Sequence, residues 1–335
     1  MLIDSFGRTI NYVRLSVTDR CDLRCVYCMA EEMTFLPRSE VLSIEEFSTL
    51  GATLVELGVT KLRITGGEPL VRKGTIELLE RLGQLDGLQE LCLTTNGTHL
   101  PQYAQAIKDA GVDRINISLD SLSSQRFRQL TRFGDVNQVL AGIKAAQAVG
   151  FKRIKLNCVA LKHYNADEVP ALVRFALDEG LDISFIEEMP LGRIDEHGRA
   201  AEFISSDELR AQLHEFQLQP LVGKAESEQT SASINAGPAR YWQAAGYESR
   251  IGFILPHSNN FFSSCNRVRV TATGRLLLCL GQENSVGLRQ TLRTGSSAEL
   301  RNQIIGAMQH KPEKHTFDLT TDEPQIVRFM NMPGG

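Results

Sequence analysis

The sequence predicts an α/β fold, a partial (β/α)6 barrel closed by a C-terminal region, and three observations carry that expectation. Between residues 10 and 190, short β-branched runs alternate with amphipathic helical segments, the pattern of repeated strand–helix units around a parallel sheet. Four of the runs follow a glycine, at Gly58, Gly111, Gly150 and Gly180, placed where a helix ends in a left-handed cap before the chain turns into the sheet. After residue 190 the rhythm breaks.

The expected strands are Val13–Val17, Leu62–Thr65, Leu91–Thr95, Ile115–Leu119, Ile154–Ala160 and Ile183–Ile186. The helix after Ser43 shows how the pattern arises: Ser43 and Glu46 fit a capping box, and Phe47, Leu50, Leu54 and Leu57 recur on one face, which should pack on the sheet. Loops after parallel strands converge on one mouth, so chemistry is expected there. Residues 1–220 are read as the barrel and 221–335 as a C-terminal substrate-binding region. Within the latter, Val222–Pro238 is rich in Ser, Ala, Glu, Gln and Gly and reads as a surface excursion. Arg267–Ala272 and Gly274–Leu280 read as two strands joined by a tight turn, and Ala298–Met308 as a short helix.

A chain of 335 residues with ordinary apolar and charged fractions can bury a sizeable core. Its net charge of −4 argues against wholesale nucleic-acid binding, so any phosphate binding must be local. The first residues lack the apolar run of a signal peptide, and no stretch approaches the ~20 apolar residues of a membrane span, so a cytoplasmic protein free of the membrane is expected. Seven cysteines, an odd count in a large chain, suit metal ligation in a reducing compartment better than a disulfide framework. Cys92 and Cys158 lie inside apolar strand runs, the usual place of a buried small hydrophobe.

Cys21, Cys25 and Cys28 form a C-x3-C-x2-C loop directly after the first strand. Three thiolates on one short loop can share an iron–sulfur cluster while leaving one iron open for a chelating small molecule; reduced thiols, or a zinc site with a remote fourth ligand, are the alternatives. Taken alone, Gly66-Gly67-Glu68-Pro69 is an ordinary tight turn after a strand, Ser118 a strand-end residue and Met189 core filler. Alternation on a strand puts Arg267 and Arg269 on one face, suited to planar recognition of base or phosphate oxygens or simply to solvent. Arg14, Lys61, Arg63 and Lys155 occupy further strand positions facing the mouth. No G-x-x-x-x-G-K-[ST] loop is present, so a nucleotide would be held by scattered cations and a metal.

The runs Arg14-Leu-Ser-Val-Thr-Asp-Arg-Cys21 through Cys28, Thr65-Gly-Gly-Glu-Pro69 and Ile117-Ser-Leu-Asp120 resemble the radical S-adenosylmethionine superfamily, with its TIM-like partial barrel. The segment Cys265-Asn266-Arg267-Val268-Arg269 with Cys279 after thirteen intervening residues, Gly237-Pro238-Ala239-Arg240-Tyr241-Trp242 upstream, and Gly334-Gly335 at the end, is similar to the GTP 3′,8-cyclase family of molybdenum cofactor biosynthesis. The resemblance implies a 4Fe–4S cluster on Cys21, Cys25 and Cys28 that splits S-adenosylmethionine to a 5′-deoxyadenosyl radical. It assigns Gly66, Gly67, Ser118, Met189 and the Tyr27 backbone to that cofactor. It assigns Arg14, Lys61, Arg63, Thr94, Lys155, Arg267, Val268 and Arg269 to GTP, with Arg267, Arg269, Gly334 and Gly335 serving the reaction. A second iron–sulfur cluster on Cys265 and Cys279 would bind the guanine.

Two positions depart from the family pattern. Phe262 stands where the family has a cysteine, and a phenyl ring cannot ligate iron; Ser184 stands where the family usually has an arginine before Phe185-Ile186-Glu187. The second cluster would then recruit Ser263, Ser264, His257 or an exogenous ligand, be of another type, or be absent. The implied product is 3′,8-cyclo-7,8-dihydro-GTP, made by a lyase and passed to the pterin-forming enzyme of the pathway, with an electron donor not named by the sequence and the chain a monomer or homodimer. The rivals are a radical enzyme with another substrate and an inactive nucleotide-binding paralogue. Cofactor cleavage without GTP dependence would favour the first, and no cleavage the second.

Overall fold

The computed structural model describes residues 1–192, 194, 198–221, 239–256, 265–313 and 326–335. Six strand–helix repeats run from the N-terminus: β1 (Tyr12–Ser16), α1 (Ile44–Glu56), β2 (Lys61–Thr65), α2 (Thr75–Gly83), β3 (Glu90–Thr95), α3 (Leu100–Asp109), β4 (Arg114–Ser118), α4 (Ser124–Thr131), α5 (Val136–Ala148), β5 (Ile154–Ala160), α6 (Val169–Asp178) and β6 (Asp182–Glu187). Beyond them lie α7 (Arg199–Glu202), α8 (Ser206–Ala211), β7 (Gln219–Pro220), β8 (Ala239–Gln243), β9 (Arg250–Ile254), β10 (Arg267–Val270), β11 (Arg275–Leu277), β12 (Ser285–Gly287), α9 (Arg289–Thr294) and α10 (Ser297–Met308).

The six expected strands are present within one or two residues of their expected bounds. Gly58, Gly111, Gly150 and Gly180 have φ of 97°, 83°, 82° and 66°, the left-handed conformation that ends the helix before each strand. Both halves of the Ser43/Glu46 capping box form, and Phe47, Leu50 and Leu54 of α1 are buried against the sheet. The described strands form one sheet in the order β12-β11-β10-β1-β2-β3-β4-β5-β6-β9-β8-β7. β10 adds in parallel beside β1, and β9 in parallel beside β6, so the C-terminal half extends both edges of the six-stranded core before antiparallel strands finish each side.

The expected hairpin after Arg267 is β10 and β11, paired antiparallel. β8 and β9 lay beyond the expected strands; β8 (ARYWQ) has no β-branched residue, and Gly252 interrupts β9 (RIGFI). Val222–Pro238 lies outside the described residues. Alternation sorts the side chains: on β5, Ile154, Leu156, Cys158 and Ala160 enter the core while Lys155, Asn157 and Val159 line the barrel interior. Cys92 and Cys158 are fully buried, as expected. No helix among the described residues is long and apolar enough to cross a membrane.

Candidate functional site

The barrel interior is a cavity of about 1470 Å3 running from the cysteine loop, beyond the C-terminal end of β1, to the strand N-termini. Cys21, Cys25 and Cys28 all line it. Their loop is held on several sides. Arg24 N donates to Thr131 O (3.0 Å) and Val26 N to Leu130 O (2.9 Å), tying it to the end of α4, and Arg132 Nη1 donates to Arg24 O (2.6 Å). Tyr27 donates its hydroxyl proton to Asp120 Oδ2 (2.6 Å), fixing the loop to the end of β4. Met330 N donates to Cys28 O (3.3 Å), bringing the C-terminal tail against it.

Burial first, and then the neighbouring acids and thiols, push all three cysteines above the ordinary thiol range. Among the described residues no three donors converge on a point as a single ion requires. Three thiols facing one cavity from a braced loop fit a cluster in which each thiolate takes its own iron.

Gly66 and Gly67 line the cavity, and the structure supplies a reason for the glycines that the sequence did not reveal. A Cβ on Gly66 would come 2.6 Å from Thr18 O, and one on Gly67 2.4 Å from Arg20 O. Gly67 N donates to Thr18 O (2.7 Å) and Glu68 N to Arg20 O (2.8 Å), so the pair lets this turn lie against the backbone leading into the cysteine loop. Glu68, fully buried, accepts from Leu70 N, Thr95 Oγ1 and Asn96 N, and burial pushes its carboxyl up to about 7. Ser118 and Met189 also line the cavity.

At the other end, register builds a row of cations. Arg14 on β1 sits opposite Arg269 on β10 and Arg63 on β2, while Tyr12, two residues earlier, sits opposite Arg267 and Lys61. Lys155 and Thr94 line the same cavity from β5 and β3. Burial first, and then Arg14 and Arg267, lower the Arg269 pKa; burial is also the main cause lowering Arg14 and Lys155. Val268 points away, into the main core, so only its backbone is available to the cavity.

Arg269 Nη1 donates to Gly334 O and to Pro333 O, and Thr65 Oγ1 donates to Gly335 O (3.2 Å), which seats Gly334 and Gly335 between the two ends. Gly334 has φ +76°, and a Cβ there would lie 2.3 Å from the Thr65 methyl.

Cys265, ahead of β10, and Cys279, after β11, line a separate stretch of wall. Lys311 stands between them, its Nζ 3.9 Å from Cys265 Sγ and donating to Leu278 O (2.9 Å). Burial pushes the Cys279 thiol up; at Cys265, Arg267 and Lys311 outweigh burial and bring the thiol down. His257, Phe262, Ser263 and Ser264 lie outside the described residues. Two described thiols with a cation between them are an incomplete donor set for a cluster.

Ser184 is buried outside the cavity wall, beneath Gly252, where a Cβ would meet both Ser184 Oγ (2.5 Å) and the Tyr241 ring (2.8 Å). The cations near it are Arg250, which pairs with Asp182 and lies 5.2 Å from the Tyr241 ring centre, and Lys155, which lowers the Tyr241 pKa against burial. Sequence reading missed Tyr12, Lys311, Asn116 and Asn157. Asn116 and Asn157 line the cavity with buried Oδ1 atoms that have no hydrogen-bond partner among the described residues, ready for a polar ligand. Their spacing of two from Ser118 and Lys155 was the signal available.

Residues 15–176 match the Radical SAM superfamily. The crystal structure of Streptococcus suis SuiB bound to S-adenosylmethionine has the same fold, with a TM-score of 0.60 at 13% identity over 97% of this chain and 77% of that one. In this chain the matched region carries the three-cysteine loop at the mouth of an open, mostly parallel barrel. Residues 181–317 match the Molybdenum Cofactor Synthesis C family. The GTP 3′,8-cyclases of Saccharophagus degradans and Pseudomonas entomophila are 59% and 58% identical to this chain, over all of it and 98% of each of them. The chain belongs to the GTP 3′,8-cyclase family.

Proposed function

We propose that this protein cyclises GTP to 3′,8-cyclo-7,8-dihydro-GTP, a lyase reaction early in molybdenum cofactor biosynthesis. One observation carries the reading: the cysteine loop and a row of three arginines, Arg63 and Arg269 buried and Arg14 half-buried, face a single cavity, with the Gly334-Gly335 tail between them. After burial, neighbouring arginines lower the pKa of Arg14 and of Arg269, and a polyanion such as a nucleoside triphosphate relieves that repulsion.

When bound, the cluster on Cys21, Cys25 and Cys28 supplies the electron that splits S-adenosylmethionine and yields the hydrogen-abstracting radical. Gly66, Gly67, Ser118, Met189 and the Tyr27 backbone hold that cofactor. Arg14, Lys61, Arg63, Thr94 and Lys155 hold the triphosphate and ribose, while Arg267, Arg269 and the Val268 backbone orient the nucleotide. The enclosed interior keeps water and stray hydrogen donors away, and the tail closes over the reacting sugar. Cys265 and Cys279 are two donors toward a second cluster, which needs a further donor from another segment to form. The residues up to 220 thus hold the cofactor and the triphosphate, and those from 221 complete the nucleotide site. All seven cysteines are free, which suits the reducing cytoplasm. Product passes to the pterin-forming enzyme.

The test is anaerobic incubation of reconstituted protein with S-adenosylmethionine, a strong reductant and GTP, followed by mass spectrometry. 5′-Deoxyadenosine together with a cyclised GTP product is the expected result. 5′-Deoxyadenosine alone, formed at a rate indifferent to GTP, overturns the substrate; neither product overturns the activity.

A further inference from the structure

Tyr12 opens β1 with its hydroxyl in the cavity and three cations around it. Arg14 Nε donates to the phenol oxygen at 3.0 Å and Arg63 Nε at 2.8 Å, while Lys61 Nζ lies 5.2 Å from the ring centre. Strand register produces the cluster: Tyr12 is opposite Lys61 and two residues before Arg14, which is opposite Arg63. A phenol oxygen has two acceptor sites, and here two Nε–H groups approach it, leaving its own proton to donate. Burial raises the phenol pKa, yet Arg14, Arg63 and Lys61 together bring it down to about 7.

Both arginines are gripped at Nε, so their outer nitrogens remain for other partners. Arg63 directs Nη1 to Thr94 Oγ1 (3.1 Å) and more distantly to Leu93 O (3.4 Å). Arg14 makes no further hydrogen bond among the described residues, and its side chain lines the cavity. A guanidinium fixed along one edge presents the other for bidentate contact with phosphate oxygens, and fixing it beforehand reduces the rotamer freedom lost on binding.

We propose that Tyr12 is a positioning residue for a triphosphate: by accepting the Nε–H of Arg14 and Arg63 together, it holds two mutually repelling cations side by side with their outer nitrogens turned to the ligand. This rests on the GTP reading above. Without the hydroxyl, the two guanidiniums separate and the fork must be assembled at each binding event.

The experiment measures dissociation constants of GTP, guanosine and inorganic tripolyphosphate for the reconstituted full chain and for Tyr12→Phe, which keeps the ring. Tyr12→Phe is expected to weaken GTP and tripolyphosphate about tenfold and to leave guanosine unchanged. In an Arg14→Ala background the same substitution should weaken GTP only about threefold, because one of its two clients is gone. Unchanged GTP binding, an equal loss for guanosine, or full additivity with Arg14→Ala overturns the role of Tyr12. Wild-type protein that binds tripolyphosphate with this Tyr12 dependence, but GTP no better, would overturn the GTP reading and leave Tyr12 as the phosphate aligner.

Discussion

At one end of the cavity, Cys21, Cys25 and Cys28 stand on a loop tied to α4, to Asp120 at the end of β4 and to the C-terminal tail. At the other, Cys265 and Cys279 flank a two-stranded hairpin with Lys311 between them and little loop structure to brace. Ligands that are near neighbours in sequence need external bonds to hold an irregular backbone in one shape. Side chains at strand ends take their positions from the ladder. The first arrangement is written locally and is complete by itself; the second depends on what the rest of the chain delivers.

The largest effect should come from the self-contained end. Cys25→Ala removes one of only three loop donors, and 5′-deoxyadenosine formation is expected to fall to background with matching loss of iron; retained cleavage would break the comparison at its root. Next is the tail that joins the ends. Gly334→Ala forces a Cβ against Thr65 at a left-handed position, so the ratio of cyclised product to 5′-deoxyadenosine should fall about tenfold while cofactor cleavage persists.

At the dependent end, Phe262→Cys should raise iron bound per chain by up to about half, and Cys265→Ser should lower it without touching cofactor cleavage. Iron unchanged in both variants would mean that no cluster forms there.

The smallest effect is a slope. Glu68 has a folded pKa of about 7, above its ordinary value, so its contribution to stability is fully present near pH 4 and is lost as the pH rises through 7. Melting temperature of the metal-free protein should fall across that window, and Glu68→Gln should flatten the fall.

How much could be read from the chain follows the same division. The six strands, the glycine caps and the cysteine loop were legible because each is encoded within about ten residues by period, cap or spacing. β8 and β9 were not, since β8 (ARYWQ) has no β-branched residue and Gly252 interrupts β9 (RIGFI). Arg14, Arg63 and Arg269 were each visible as strand cations, yet their alignment in one row depends on register between strands remote in sequence. Tyr12 fell just before the expected strand Val13–Val17, and Lys311 just past the expected helix Ala298–Met308. Both gain part of their chemistry from residues remote in sequence, Arg63 for Tyr12 and Cys265 for Lys311. Gly66 and Gly67 were legible as a motif, but the close approach that demands them is to Thr18 and Arg20.

The pairing of β10 with β1 has a consequence in time. The hydrogen bond from Asn266 to Asn11 spans 255 positions, and closing so long a loop costs about 5 kcal/mol of chain entropy before any contact offsets it. β1 and β2 meet at short range, so Arg14, Arg63 and Tyr12 come together early, while Arg269 arrives with one of the last docking events of folding. A refolding chain should therefore recover affinity for tripolyphosphate before it recovers its full affinity for GTP.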